Sequence, residues 1–361
     1  MKIGIDVQST KGRKTGLGVY TDHLVCSLTR ELNHRHQYCL YGKEQAGDLN
    51  TPGRLWWENV ELPHLAKKDR VDLLHIPAFA VPTRKPAKVV LTVHDLIGMI
   101  YPNQKGWPSR LYWGKWLPES ARRADRIIAD SENTKMDMIK HLSISEDLIR
   151  VIYPSGHENF TADISRENIE KLKERLGIQE KYFLYVGTIE PRKNLSRVIE
   201  SFNHFIKDKQ RSVRYQLVIV GSKQFAHGQV FKEILDRFGT SLDDILFSDY
   251  LKQEELNALY CGAEALLFPS LYEGWGIPIL EAMASGTPVL TSNVSSIPEV
   301  CGEAALKVDP YSTEEIRNGI ECLAQDENCR KSLVMQGFEQ IKKFSWKRTA
   351  EQTLEVYESL G

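Results

Sequence analysis

This chain has no long uninterrupted hydrophobic run, which leaves no candidate for a membrane-crossing helix. Its opening M-K-I-G-I-D-V is too short in its apolar part for a signal peptide and alternates like a first strand. Cysteine is sparse. The six (Cys26, Cys39, Cys261, Cys301, Cys322, Cys329) include no C-x-x-C pair and no metal-ligand spacing, as expected of reduced thiols in a cytoplasmic protein. None of the ten histidines forms the H-x-x-x-H spacing of a helical metal site, so no bound metal is expected. Internal repeats and low-complexity tracts are lacking, and so is a full G-x-G-x-x-G fingerprint. There is no basic excess either: the net charge is −1, and no nucleic-acid-binding module is recognisable.

What is present is ordinary soluble composition, 42% apolar and 26% charged over 361 residues, enough for two domains with separate cores. Charge divides unevenly. Residues 1–150 carry +6 and residues 151–361 carry −7, which suggests that the first half meets something anionic. Apolar runs suited to strands occur at 2–7, 37–41, 71–76, 88–93, 125–130 and 149–153. They resume at 182–186, 216–220, 245–248, 265–268, 289–292 and 304–308. Helical patterns alternate with them, so the chain is α/β, with two doubly wound parallel sheets. The expected division is a first domain at 1–155, a linker at 156–174, a second domain at 175–345 and a final helix from Trp346.

The most informative stretch runs from Phe268 to Val300. Ala265–Phe268 is a buried-type strand, Gly274 and Gly276 flank Trp275, and Pro278 suits the first turn of a helix that stops near Gly286. Glu273 lies on the turn at the strand's carboxyl end and Glu281 lies eight residues later inside the helix. Bare backbone at the glycines admits a close ligand, and two carboxylates there can accept hydrogen bonds from sugar hydroxyls. Taken alone, the two glutamates also fit a helix-entry anion and a solvated surface residue.

Three other places sit at strand ends. In Y-V-G-T-I-E-P-R-K-N-L, Arg192 and Lys193 follow a strand, and Asn194 is placed to cap the next helix. This suits a diphosphate cradle or a solvated charged turn. Gly16 and Gly18 open a helix after the first strand, either as a tight entry or as a site of phosphate or sugar approach. His94 ends the strand V-V-L-T-V, where it is either a proton-exchanging group or a loop histidine bonded to backbone. The segment Arg110–Ala124 interleaves Trp113 and Trp116 with basic residues. It reads as core, with a membrane-surface face as the other reading, and Pro118 is placed to kink or split it.

Together, E-G-W-G-I-P-I-L-E-A-M-A-S-G-T-P-V, Y-V-G-T-I-E-P-R-K-N-L and the N-terminal glycine loop resemble the retaining GT-B glycosyltransferases, marked by two glutamates with seven residues between them. The resemblance covers nearly the whole chain. It is strongest, over Phe268–Pro310, to the mannosyltransferase-like branch of glycosyltransferase family 4 that builds bacterial surface polysaccharides such as O-antigen. It implies two Rossmann-like domains facing a cleft, with the terminal helix packed back on the first. Arg192 and Lys193 match the diphosphate-binding cations, Glu281 the ribose contact and Glu273 the group beside the donor sugar. Backbone N–H groups of Gly274, Trp275, Gly276 and Ile277 would hold sugar hydroxyls and phosphate. Gly16 matches the first-domain phosphate glycine, His94 the acceptor-side histidine, and Tyr250 and Leu251 the nucleobase contacts. Trp275 and Ile277 stand where phenylalanine and leucine are commoner. Asp249 replaces a frequent glycine ahead of the base-contacting segment.

The activity implied is transfer of a hexose, mannose from GDP-mannose by branch, to a saccharide or lipid-diphosphate-linked saccharide, with retention and without cofactor or metal. The location implied is cytoplasmic, with peripheral contact at an anionic membrane's inner face. A sugar-nucleotide 2-epimerase of similar shape and a non-catalytic nucleotide-sugar-binding subunit are the other readings.

Overall fold

The structure is a computed structural model. It describes residues 1–11, 16–32, 36–43, 49–78, 80–101, 110–179, 181–207, 213–221, 244–249 and 251–361. The expected base contact Tyr250 lies outside the described residues. The chain divides into two compact units, Met1–Ser155 with Phe344–Gly361, and Gly156–Lys343.

The first unit holds six parallel strands: β1 Lys2–Asp6, β2 Gln37–Tyr41, β3 Leu73–Ile76, β4 Lys88–Val93, β5 Arg126–Ala129 and β6 Ile149–Val151. Their spatial order is β2-β1-β3-β4-β5-β6, which reverses direction between β1 and β3. Central strands are apolar on both faces because helices cover both, so β3 reads L-L-H-I with every residue buried. The terminal helix Trp346–Glu358 belongs to this unit. Ser345 caps it by accepting from the Arg348 amide at 3.2 Å. Trp346, Ala350, Leu354 and Tyr357 recur at three- and four-residue spacing and join Ile3, Ile5, Tyr20 and Leu24 in one core. The Tyr357 hydroxyl meets His75 Nδ1 at 2.6 Å, and His75 Nε2 meets Thr92 Oγ1 at 2.9 Å. Burial drives His75 down to about 3, so the ring is neutral and binds the helix to β3 and β4 without charge.

The second unit repeats the layout with β7 Lys181–Val186, β8 Tyr215–Val220, β9 Ile245–Ser248, β10 Ala265–Phe268, β11 Val289–Ser292 and β12 Leu306–Val308. All pairings are parallel, in the order β12-β11-β10-β7-β8-β9. The order reverses between β10 and β7, so the loops leaving those two strands open the crevice where such sheets bind ligands. The helix Leu195–Ile206 buries Leu195, Val198, Ile199, Phe202 and Phe205 against Phe183 and Tyr215. That stripe is worth roughly 1.5–3 kcal/mol per side chain in area removed from water.

The twelve expected strands all occur among the described residues, with ends within two residues of their expected positions. Other expectations change. Residues 156–174 are not a free linker: a Ser165-capped helix, Arg166–Leu176, occupies most of that stretch and packs Leu172 within the second unit. The Trp113 segment follows a π-helical path over Tyr112–Trp116 and returns to α over Leu117–Ala121, with Pro118 just after the change. Its aromatics are engaged within the fold. Arg54 lies over Tyr112 and Trp113, and Arg123 over Trp116. No helix among the described residues is long and apolar enough to cross a membrane.

Candidate active site

A cluster of charged side chains forms at the switch point of the second unit. After β7 the chain makes a single 3-10 turn, Pro191–Lys193, and Asn194 takes the left-handed conformation at φ 61°. Asn194 was expected to cap the following helix, but no side-chain cap bond forms. Its amide instead donates to Pro269 O at 2.9 Å and Pro310 O at 2.7 Å. The Leu271 amide donates to Arg192 O at 2.7 Å. These three bonds fasten the Arg-Lys turn to the loops after β10 and β12.

Glu273 is thereby brought between the two cations. Arg192 Nη1 lies 2.9 Å from Glu273 Oε2, and Lys193 Nζ lies 2.6 Å from Glu273 Oε1. Arg192 Nε also pairs with Glu190 Oε2 at 2.9 Å, a partner not singled out in the sequence. Lys193 is 9% exposed and Glu273 6%, and the ammonium lies 4.7 Å from the Phe268 ring centre. Burial pushes the Glu273 carboxyl up, but Lys193 and Arg192 outweigh it and hold it below the usual carboxylate range. Burial pulls Lys193 down, and Arg192 adds to this against the attraction of Glu273. Both cations converge on the one inner carboxylate of Glu273, and Glu190 adds a second carboxylate on Arg192.

The loop carrying Glu273 is held from a third side. Ser295 Oγ donates to Glu273 O at 2.8 Å, and Ser296 Oγ donates to Glu273 O at 2.9 Å and Trp275 O at 3.1 Å. Gly276 then turns the chain at φ 119°, which side-chain-bearing residues rarely adopt, and the helix Ile277–Ala284 starts without a side-chain cap. This helix begins on the loop leaving β10, next to β7 whose loop carries the two cations, a placement suited to an anion such as a diphosphate. Glu281 sits in the second turn of this helix and accepts from the Tyr260 hydroxyl at 2.9 Å. Leu251, the other expected base contact, is buried.

In the first unit, the two glycines separate in role. A Cβ on Gly18 would lie 2.4 Å from Ser9 O, so Gly18 serves the tight packing of helix on loop. A Cβ on Gly16 would meet nothing within 4 Å among the described residues. His94, at the end of β4, is bound at both ring nitrogens. Nδ1 meets Asp130 Oδ2 at 2.6 Å and Nε2 meets Pro77 O at 2.6 Å. Carboxylate and carbonyl oxygens only accept, so the ring donates twice and is an imidazolium. Burial opposes that charge, but Asp130, the Pro77 carbonyl and Asp95 together raise its pKa. In this arrangement His94 is a cation held at both ring nitrogens, by a carboxylate at the end of β5 and a carbonyl after β3. Asp130 was passed over in the sequence because it stands at the end of a different strand.

Comparison with known proteins gives the family and the fold. The family description "Glycosyl transferases group 1" matches residues 168–340, and "Glycosyltransferase Family 4" matches residues 16–155. The Escherichia coli O-antigen chain mannosyltransferase B is 31% identical over 296 residues, covering 82% of this chain and 76% of that protein. The serotype-specific mannosyltransferase WbdA of Escherichia coli is 32% identical over 278 residues, 76% of this chain; the match spans only 34% of WbdA. Among solved structures, Anabaena HepE in complex with UDP and glucose superimposes with a TM-score of 0.74 at 18% identity, covering 99% of this chain and 100% of that one. With two six-stranded parallel sheets of this order and both family descriptions matched in sequence, the chain belongs to the GT-B glycosyltransferases of group 1, family 4.

Proposed function

We propose that this glycosyltransferase moves mannose from GDP-mannose onto a glycan or lipid-diphosphate-linked glycan, with retention of configuration, during surface-polysaccharide assembly. The observation that carries the reading is the convergence of Arg192 and Lys193 on Glu273 at the switch point of the second sheet. The mannosyltransferase names of its relatives at 31–32% identity support the sugar.

Departure of a nucleoside diphosphate develops negative charge on its phosphate oxygens. Arg192, Lys193 and the uncapped helix N-terminus at Ile277 would stabilise that charge. Glu273, fully engaged by the two cations, positions them and the sugar rather than acting as a free nucleophile. Glu281 takes the ribose and Leu251 the base side. The acceptor hydroxyl attacks on the face from which the phosphate leaves, through an oxocarbenium-like state. Gly16 and the His94 cation would contribute from the first unit. Peripheral binding to an anionic membrane face from the cytoplasm rests on the +6 charge of residues 1–150.

The test uses GDP-mannose labelled with ¹³C at C1 and a mannose-terminated oligosaccharide. Retention gives an α-linked product, read from its one-bond C1–H1 coupling. A β-linked product would refute the retaining mechanism. Isomerisation of the donor without acceptor would favour an epimerase instead.

A further inference from the structure

We propose that Tyr260 is a positioning residue for donor recognition, its hydroxyl fixing one oxygen of the Glu281 carboxylate so that the other faces the vicinal hydroxyls of the donor's ribose. This rests on reading the second unit as the nucleotide-sugar site. Tyr260 lies on the helix Gln253–Gly262 and is 0% exposed. Its ring packs edge-on to Phe160 with centres 5.8 Å apart, and its carbonyl accepts from Thr287 Oγ1 at 2.7 Å. Backbone and ring are thus both fixed. Burial also keeps the phenol well above its ordinary pKa, so it stays protonated and can only donate toward a carboxylate.

Glu281 is half-buried, and no described residue donates to its Oε1. A long side chain with one anchor among the described residues is held to a rotamer by that bond. The bond also acts on charge. Burial pushes the Glu281 carboxyl up to about 7, and the Tyr260 hydroxyl is what pulls it down. Charged groups on the surrounding elements do not enter that balance. These are Glu254 and Glu255 on the helix of Tyr260, Glu299 on Ile297–Cys301, Glu327, Arg330, Lys331 and Glu339 on Glu327–Ile341, and the Arg192–Lys193–Glu273 cluster. Ribose hydroxyls donate to an acceptor-only group, which Glu281 is only when ionised. Without the Tyr260 hydroxyl, the carboxyl would ionise at higher pH and present its oxygen less often.

The experiment compares GDP with 2′,3′-dideoxy-GDP by calorimetric titration from pH 6 to 9, in the intact protein, Tyr260→Phe and Glu281→Gln. The ratio of the two affinities isolates the ribose contact, because both probes share the same titrating phosphates. The ratio should rise with pH through about 7 in the intact protein. In Tyr260→Phe a midpoint moved up by about one unit would lower the ratio roughly threefold at pH 7.5. Dideoxy-GDP binding should not change, which also reports an intact fold. A Tyr260→Phe ratio that follows the intact protein's pH curve, while Glu281→Gln flattens it, would overturn the positioning role and leave the nucleotide site standing. Equal loss for both probes would overturn it as well, since that is a general structural effect. A Glu281→Gln variant with an undiminished ratio would remove the ribose contact itself, and the proposal with it.

Discussion

Lys193→Met deletes one charge from the cluster and keeps an apolar stem over the Phe268 ring. At 2.6 Å and an effective dielectric near 20, the direct attraction between Lys193 and Glu273 is roughly 6 kcal/mol, most of it offset by desolvation of the two ions. Removing one partner of a buried pair typically costs about 3–5 kcal/mol because the other is left orphaned. Here Arg192 still holds Glu273 at 2.9 Å, so a smaller stability loss, of about 1–2 kcal/mol, is expected. The loss of transfer should be larger. A donor aimed at developing charge is worth about 10²–10³ in rate, roughly 3–4 kcal/mol. The two effects separate in the double variant Lys193→Met/Glu273→Gln, which removes both charges together. Thermal unfolding of the double variant should return toward that of the intact protein, while GDP release from limiting GDP-mannose stays depressed. Full turnover in Lys193→Met at limiting donor would refute the phosphate-cradle reasoning. So would recovery of turnover in the double variant.

Three further outcomes follow from the first unit. Gly18→Ala should lower stability by about 1–3 kcal/mol in urea unfolding, because its Cβ would lie 2.4 Å from a backbone oxygen; Gly16→Ala should unfold normally and lose donor turnover. Glu58 is buried beside the Tyr112 hydroxyl and the Ala80 amide, and burial pushes its carboxyl up to about 8. A raised carboxyl contributes stability that is full below its unfolded value near 4.5 and is lost as pH rises through about 8, so Glu58→Gln should become the more stable form by a few kcal/mol at pH 9 and lose that advantage by pH 5, measured by urea unfolding. For His94 the raised pKa means that stability from its pairing with Asp130 is present below about 6.5 and lost as pH climbs through the folded value. Asp130→Asn should lower the His94 titration midpoint in ¹⁵N-resolved NMR, and an unmoved midpoint would break the imidazolium assignment.

Strand–helix alternation was legible because buried parallel strands leave continuous apolar runs such as Y-Q-L-V-I-V. The turn carrying Glu273 was legible from Gly274, Gly276 and Pro278, since few residue types can take those positions. The helix Arg166–Leu176 was missed because R-E-N-I-E-K-L-K-E-R-L offers only a thin apolar stripe among charges. Asn194 was misread because a side chain that caps helices can also bridge two loop carbonyls, and only the fold brings Pro269 and Pro310 to it. The partners of His94 come from the ends of β3 and β5, so their meeting depends on sheet order rather than on local sequence. The Tyr260–Glu281 bond joins two helices twenty-one residues apart in the same way.

The central claim is that the Arg192–Lys193–Glu273 cluster receives the diphosphate of GDP-mannose. Its most direct measurement is protection against thermal unfolding across a panel of nucleotide sugars, in the intact protein and in Lys193→Met. A ligand that binds only the folded state raises the melting temperature by mass action. The account predicts the largest rise with GDP-mannose, and loss of most of that rise in the variant. Protection by a UDP sugar with none by GDP-mannose would contradict the donor. Equal protection by GDP-mannose of both proteins would contradict the site.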